Sequence, residues 1–311
     1  MPQTEASRFL RNTSMYKKEL IKQHLVAYSF ILPSVLGFLV FLILPVIATL
    51  IISFTDWDFS QVLSDIKFLG LANYVNIWKD EWFLSSLKNT LAYSFGTVPV
   101  TIILSLLLAI LVEQTIRSNR DVMRVLLFIP YVTNVVVSSY VWQMVLSQHG
   151  PLAHLLNLLH IYEYPIWLGD PHWALPAIML LGVWRSIGYV FVLYLAGLQN
   201  IPTELLEAST LDGASHAQKI FRITIPLLSP TTFFILTTQL IFSFRVFAQI
   251  LVLTYGGPGT ATSVLAFHIY MSAFKFFKMG YASTITWIMF IIIFCFTIVQ
   301  WRMQKRWVYY Y

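Results

Sequence analysis

Residues 25–55 contain no Asp, Glu, Lys or Arg. A run this long and this apolar has no place on a soluble surface, and in hydrocarbon only a helix or a closed barrel satisfies its own backbone. A helix crosses a bilayer in about 20 apolar residues, whereas a barrel strand takes about half as many and alternates polar with apolar. The run is continuous rather than alternating, so the chain is constrained to a helical membrane fold. Comparable stretches follow at 89–112, 125–146, 173–198, 231–254 and 279–301, the fourth interrupted only by Arg185 and the fifth only by Arg245. They predict an all-α polytopic protein with six transmembrane helices, the first kinked by Pro33 and Pro45. Charged residues make up 11% of the chain, against about 25% in soluble domains, so too few remain to coat a water-exposed surface.

Six spans put both termini on one side, and Lys and Arg decide which. One set of segments carries Arg8, Arg11, Lys17, Lys18 and Lys22 before the first span, then Arg117, Arg120 and Arg124, then Lys219 and Arg222, then Arg302, Lys305 and Arg306. The opposite set carries only Lys67, Lys79, Lys88, Lys275 and Lys278 and leans acidic through Asp56, Asp58, Asp65, Asp80, Glu81, Glu163 and Asp170. The first set is therefore assigned to the cytoplasm. This divides the chain into a cytoplasmic N-terminal segment (1–24), a six-helix domain (25–302) with a cytoplasmic loop at 199–230, and a cytoplasmic tail (303–311). The polar, basic start is not a signal peptide, because the apolar run behind it exceeds the length of a signal-peptide core. A net charge of +6 fits basic inner loops better than a nucleic-acid surface, since no basic run is interleaved with aromatics. Residues 262–277 are too short to span and predict an interfacial helix on the outer side, with Phe267, Tyr270, Phe274 and Phe277 at helical spacing.

The loop at 199–230 is longer than a connection between membrane helices needs. Pro202 suits the first position of a helix. Glu204 and Glu207 fall in its early turns, where the dipole favours negative charge. Leu205, Leu206, Ala208 and Leu211 give it apolar surface, and Gly213 beside Asp212 supplies a permissive backbone at its end. A second helical stretch follows at 215–224, and Pro226 and Pro230 mark the approach to span five. Two short helices joined at a glycine, with Ala208, Ser209, Gly213 and Ala214 permitting close approach, make a compact knob suited to docking.

Glu207, Ala208, Asp212, Gly213, Ala214, Phe221, Ile223 and Pro226 reproduce a spacing that resembles the coupling loop of ABC importer permeases, with Ser209 where Ala is usual and Ile225 where Leu is usual. Leu253, Thr254, Gly256, Gly257 and Pro258, with Thr262 beyond them, resemble a motif that follows span five in carbohydrate-importer permeases related to the larger membrane subunit of the maltose transporter. Phe128, Ile129, Pro130 and Tyr131, and the stretch from Gly197 to Pro202, fit the same branch. The resemblance implies the type I ABC importer permease fold and places Glu207, Ala208, Ser209, Asp212, Gly213 and Ala214 in a coupling helix. The implied partners are a second homologous permease forming a heterodimer, an ATPase dimer and an extracytoplasmic solute-binding protein. The implied setting is the cytoplasmic membrane of a prokaryote, and the implied cargo is a carbohydrate.

Charges inside a bilayer face a cavity or a partner, so Arg185 and Arg245 are first candidates for a solute path; pairing with carbonyls or with the companion permease is the alternative. In span four, Trp184, Arg185, Ser186 and Tyr189 combine aromatic and polar groups, and Arg185 and Tyr189 stand four apart on one face. In span five, Gln239, Phe242, Ser243 and Val246 share a face with Arg245 near its edge. The resemblance places sugar contacts at Gly182, Arg185, Ser186 and Tyr189 and at Gln239, Phe242, Ser243 and Val246. Helix–helix packing accounts equally well for Phe242 and Tyr189 taken singly. Asn134, Tyr140 and Gln143 are weaker candidates. His149, His154 and His160 lack metal-ligand spacing, and a single cysteine, Cys295, excludes both a disulfide and a cysteine metal site. No phosphate-binding glycine loop is present, so ATP and Mg belong to a partner ATPase and the chain carries no cofactor. No nucleophile–base constellation suggests an enzyme. A secondary transporter would be expected to carry coupling carboxylates inside its spans, and none is there. The same scaffold importing a glycerol phosphodiester or another small polar solute is the main alternative.

Overall fold

The computed structural model describes residues 24–60, 62, 65–115 and 120–309. The N-terminal segment assigned to 1–24 lies outside them apart from His24. All regular structure among the described residues is helical.

Four helices are long and apolar enough to cross a bilayer unbroken: α1 (His24–Ile52), α3 (Glu81–Thr115), α7 (Ala174–Gln199) and α13 (Met279–Trp307). Between α1 and α3 lies the short α2 (Ala72–Asn76). Two bent helix pairs bring the number to six if each counts as one span. α4 (Arg120–Val132) and α5 (Val135–Val145) meet at 94°. After α6 (Pro151–Leu158), α7 and α8 (Thr203–Leu211), the pair α9 (His216–Leu227) and α10 (Ser229–Phe244) meets at 62°. α10 is followed by α11 (Ala248–Leu253) and α12 (Leu265–Tyr270), the latter extended by a π turn, Met271–Lys275.

The observed spans depart from the apolar runs in sequence, each time for a local reason. α3 starts eight residues earlier than residue 89 because its polar first turns hold the segment after α11. The Trp82 indole donates to Ser263 Oγ (2.7 Å), Asn89 donates to the Thr260 and Ser263 carbonyls (2.8 and 2.9 Å), and Thr90 Oγ1 accepts from the Leu265 N–H (2.8 Å). The third span is broken because Pro130 cannot donate in the last turn of α4 and Asn134 restarts the chain as an N-cap, its side chain accepting from the Val136 N–H at 2.8 Å. Pro45 follows a π turn, Leu39–Ile43, and so does Pro226, after Ile220–Thr224. The wider turn accommodates a ring that would clash in an α-helix. Residues 262–277 are not a simple interfacial helix: Phe267 and His268 are buried, while Phe274 and Phe277 are exposed.

α3 and α7 form the central pair, flanked by α4 and α10. Apolar packing is divided along their length. One cluster joins Tyr93, Leu175, Ile178, Leu181, Ile250 and Phe267. A second joins Ala109, Val112, Val190, Phe191, Tyr194, Leu228 and Ile235. A third fixes α13 to α2, α3 and α12 through Ile77, Phe83, Leu265, Ile285 and Ile288. α1 has no buried residue in its most apolar window, as befits a face turned to lipid or to another chain.

Candidate functional site

α3, α7 and α10 each carry their polar mid-helix residues between the two apolar clusters, and a cavity of about 310 Å³ opens there. α7 contributes Gly182, Arg185 and Ser186. The end of α10 and the turn after it contribute Gln239, Phe242, Ser243, Arg245 and Val246. Eight of the ten residues singled out in sequence thus meet at one cavity. Trp184 and Tyr189 do not line it. Trp184 packs on Trp142 with ring centres 5.7 Å apart, and Tyr189 stacks on Tyr131 at 4.8 Å. Tyr131 itself lines the cavity, so Tyr189 backs a wall it does not form.

Sequence reasoning missed three groups. Tyr93, Thr97 and Thr101 of α3 line the cavity, as do Tyr131 and Val135 at the break in the third span and Phe247, Ala248 and Gln249 at the break after α10. The first group had a legible signal: polar residues spaced by four along an apolar helix mark one face. Asn134, Tyr140 and Gln143 are absent from the lining, and Asn134 is the cap described above.

The cavity's geometry is set by small residues and buried hydrogen bonds. Tyr93 donates to Gln249 Oε1 at 3.0 Å, tying α3 to α11. A Cβ at Gly182 would stand 2.2 Å from the Tyr93 hydroxyl, so glycine there makes room for the tyrosine. The Ser243 hydroxyl lies 2.8 Å from both Ser94 Oγ and the Leu240 carbonyl, joining α10 to α3. Arg185 reaches across the break in the third span. Its Nη1 donates to the Thr133 carbonyl (3.1 Å) and to Ser138 Oγ (3.3 Å), with Nη2 3.5 Å from the Tyr131 carbonyl. A cation on the freed carbonyls ending α4 also meets the negative end of that helix dipole. Arg185 therefore pins the bend, the carbonyl-pairing role that sequence had held open for it, while still bordering the cavity. Arg245 differs. It follows α10, it is exposed on the isolated chain, and its guanidinium forms no hydrogen bond or ion pair among the described residues.

The knob formed by α8 and α9 is held together by its own polar groups. The Ala214 N–H donates to the Ser209 carbonyl (3.0 Å) over Gly213, whose φ of +75° closes the helix end. Ser215 and Gln218 form a capping box at the start of α9, and Lys219 Nζ donates to Thr210 Oγ1 at 2.8 Å. Pro202 is the cap before α8, not its first helical residue. Glu207, Ala208, Asp212 and Gly213 are exposed and Ala214 half-buried. Ser209 is buried and its hydroxyl donates to the Leu206 carbonyl at 2.7 Å, so it supports the knob from inside. Leu211 is 89% exposed and Phe221 70%. The knob thus leaves two large apolar side chains on its surface.

Known proteins agree with this architecture. The profile of the family described as binding-protein-dependent transport system inner membrane component matches residues 81–309. The chain belongs to this family. It is a permease component of an ABC importer, a transport subunit rather than an enzyme, with ATP bound by a separate ATPase. The permease is 34% identical to the trehalose/maltose transport system permease protein MalF of Thermococcus litoralis, over 90% of this chain and 94% of that one. It is 33% identical to the arabinooligosaccharides transport system permease protein AraP of Bacillus subtilis, over 89% and 88% of the two chains. In fold, the permease superposes with a TM-score of 0.79 on a chain of a bacterial ABC transporter involved in the import of the acidic polysaccharide alginate, at 24% identity and covering 94% of this chain and 99% of that one. These likenesses establish the type I importer permease fold and a membrane setting.

Proposed function

We propose that the permease translocates a carbohydrate by alternating access, as one half of a heterodimer served by an extracytoplasmic binding protein. In this reading the cavity bordered by Tyr93, Arg185, Gln239, Phe242 and Arg245 is the solute path. The loop 199–230 faces the cytoplasm, together with both termini, and Glu207, Ala208, Asp212, Gly213 and Ala214 dock into an ATPase dimer, with Ser209 bracing them from beneath. The observation that carries the reading is the placement of one polar, aromatic-walled cavity at mid-span. Aromatic faces suit the apolar C–H surface of a sugar, and the amides of Gln239 and Gln249 suit its hydroxyls. Sugar-importing relatives named above support the cargo class, and the excess of Lys and Arg on one set of loops supports the orientation. ATP-driven closure of the ATPase dimer would move the knob as a rigid body, because its two helices are joined by the bonds across Gly213 and by Lys219.

The test is uptake into proteoliposomes by the assembled complex. Glu207→Lys or Gly213→Asp is expected to abolish uptake and sugar-stimulated ATP hydrolysis while the binding protein still binds sugar. Undiminished uptake by a normally assembled complex would remove the coupling role. Failure of any sugar to be taken up by the wild-type complex would remove the cargo class.

A further inference from the structure

The two arginines at the cavity have separate employment, and the difference identifies the chemistry of the cargo. Arg185 is engaged by the Thr133 carbonyl and Ser138. The Arg245 side chain has no partner among the described residues, yet it lines the same cavity. No Asp or Glu lines it either. A guanidinium is always charged and cannot be silenced by losing a proton, and a bare cation at membrane depth is costly. An anionic group on a solute entering the cavity would supply that compensation. The planar fork of Arg matches a carboxylate with two parallel hydrogen bonds, and Phe242 and Phe247 on either side of Arg245 supply apolar walls for a sugar ring. We infer that this permease carries a carboxylate-bearing carbohydrate, of the uronic-acid class, and that Arg245 is the residue that selects it.

The inference rests on the proposed role of the cavity as a sugar path, and the experiment keeps the two apart. Direct binding is measured on the assembled detergent-solubilised complex without the binding protein, so that protein's own selectivity does not enter. The probes are hexuronate disaccharides and trisaccharides and their carboxyl-reduced neutral counterparts. The wild-type complex is expected to favour the acidic member of each pair, and Arg245→Gln to lower that preference by about tenfold or more, the worth of a charge-assisted hydrogen bond. Arg245→Lys keeps the charge without the fork and is expected to retain part of the preference. Equal binding of acidic and neutral sugars by the wild type, or an unchanged preference in Arg245→Gln, would overturn the inference while leaving sugar transport standing. Loss of the companion permease from the Arg245→Gln complex would also overturn it, by showing that Arg245 is spent on a subunit contact. Binding of neither sugar, with no uptake when the binding protein is restored, would instead strike the carbohydrate reading itself.

Discussion

Gly188→Ala isolates the contact on which the bent third span depends. Gly188 sits on α7 three residues beyond Arg185 and faces the backbone of α4. A Cβ placed there would lie 1.8 Å from the Leu127 carbonyl oxygen, 2.6 Å from its carbonyl carbon and 2.9 Å from Phe128 Cα. These are backbone atoms and cannot swing aside as a side-chain tip would. Restoring an ordinary 3.4 Å contact from 1.8 Å means opening the helix crossing by roughly 1.6 Å. Overpacking of this kind costs about 1–3 kcal/mol, and a backbone clash belongs at the upper end. The better helix propensity of Ala returns about 1 kcal/mol, so the net loss is about 2 kcal/mol. The larger consequence is at the bend. Moving α4 away from α7 takes Tyr131 and Thr133 with it, and the Arg185 bond to the Thr133 carbonyl, now 3.1 Å, passes out of range. Uptake should therefore fall further than stability does. Thermal unfolding of the purified complex and sugar uptake into proteoliposomes measure the two effects, with Gly37→Ala as control, because a Cβ at Gly37 meets nothing within 4 Å. Wild-type uptake and an unchanged midpoint for Gly188→Ala would refute the reasoning.

Arg185→Gln removes the guanidinium that holds the bend while leaving the small-residue crossing intact. It is expected to lower uptake by tenfold or more with normal assembly, and limited proteolysis should show new cleavage near 130–135; an unchanged proteolytic pattern would argue against the clip. His268 offers a pH-dependent readout outside the spans. It is fully buried, stacked on Trp82 at 4.0 Å, with neither ring nitrogen partnered, and burial pushes its pKa down to about 4 although Asp80 opposes the shift. Because the folded pKa lies below the unfolded value of about 6.5, the neutral ring is favoured in the fold and stability falls as pH drops from about 6.5 towards 4. His268→Phe should flatten that limb of the curve, and an identical pH profile in the variant would exclude His268 as its source.

The spans themselves were legible because a charge-free apolar run admits few alternatives in a membrane. The breaks were not, since Pro130 and Asn134 read individually as tolerated residues, and only their combination ends one helix and caps the next. The cavity was found through its most expensive residues, Arg185 and Arg245, whereas Tyr93, Thr97 and Thr101 were passed over because hydroxyl side chains are common in membrane helices and often satisfy the local backbone, as Thr97 does by donating to the Tyr93 carbonyl. Trp184 enters the path reading by residue type and Tyr189 by its spacing from Arg185 and by the family resemblance, and their rings pack on Trp142 and Tyr131. The coupling spacing was specific enough to outline the knob, but not to show that Ser209 points inward.

The cavity lies between two apolar clusters, one around Ile178 and Ile250 and the other around Phe191 and Ile235. In the proposed reading of the cavity as a solute path, water and ions meet two barriers in series on this chain's share of it rather than one. In that reading a solute is admitted past the first while the second still insulates the membrane potential. A lesion in one cluster, such as a polar residue at Ile178 or at Phe191, would leave the other sealed and give a slow carrier rather than an open pore.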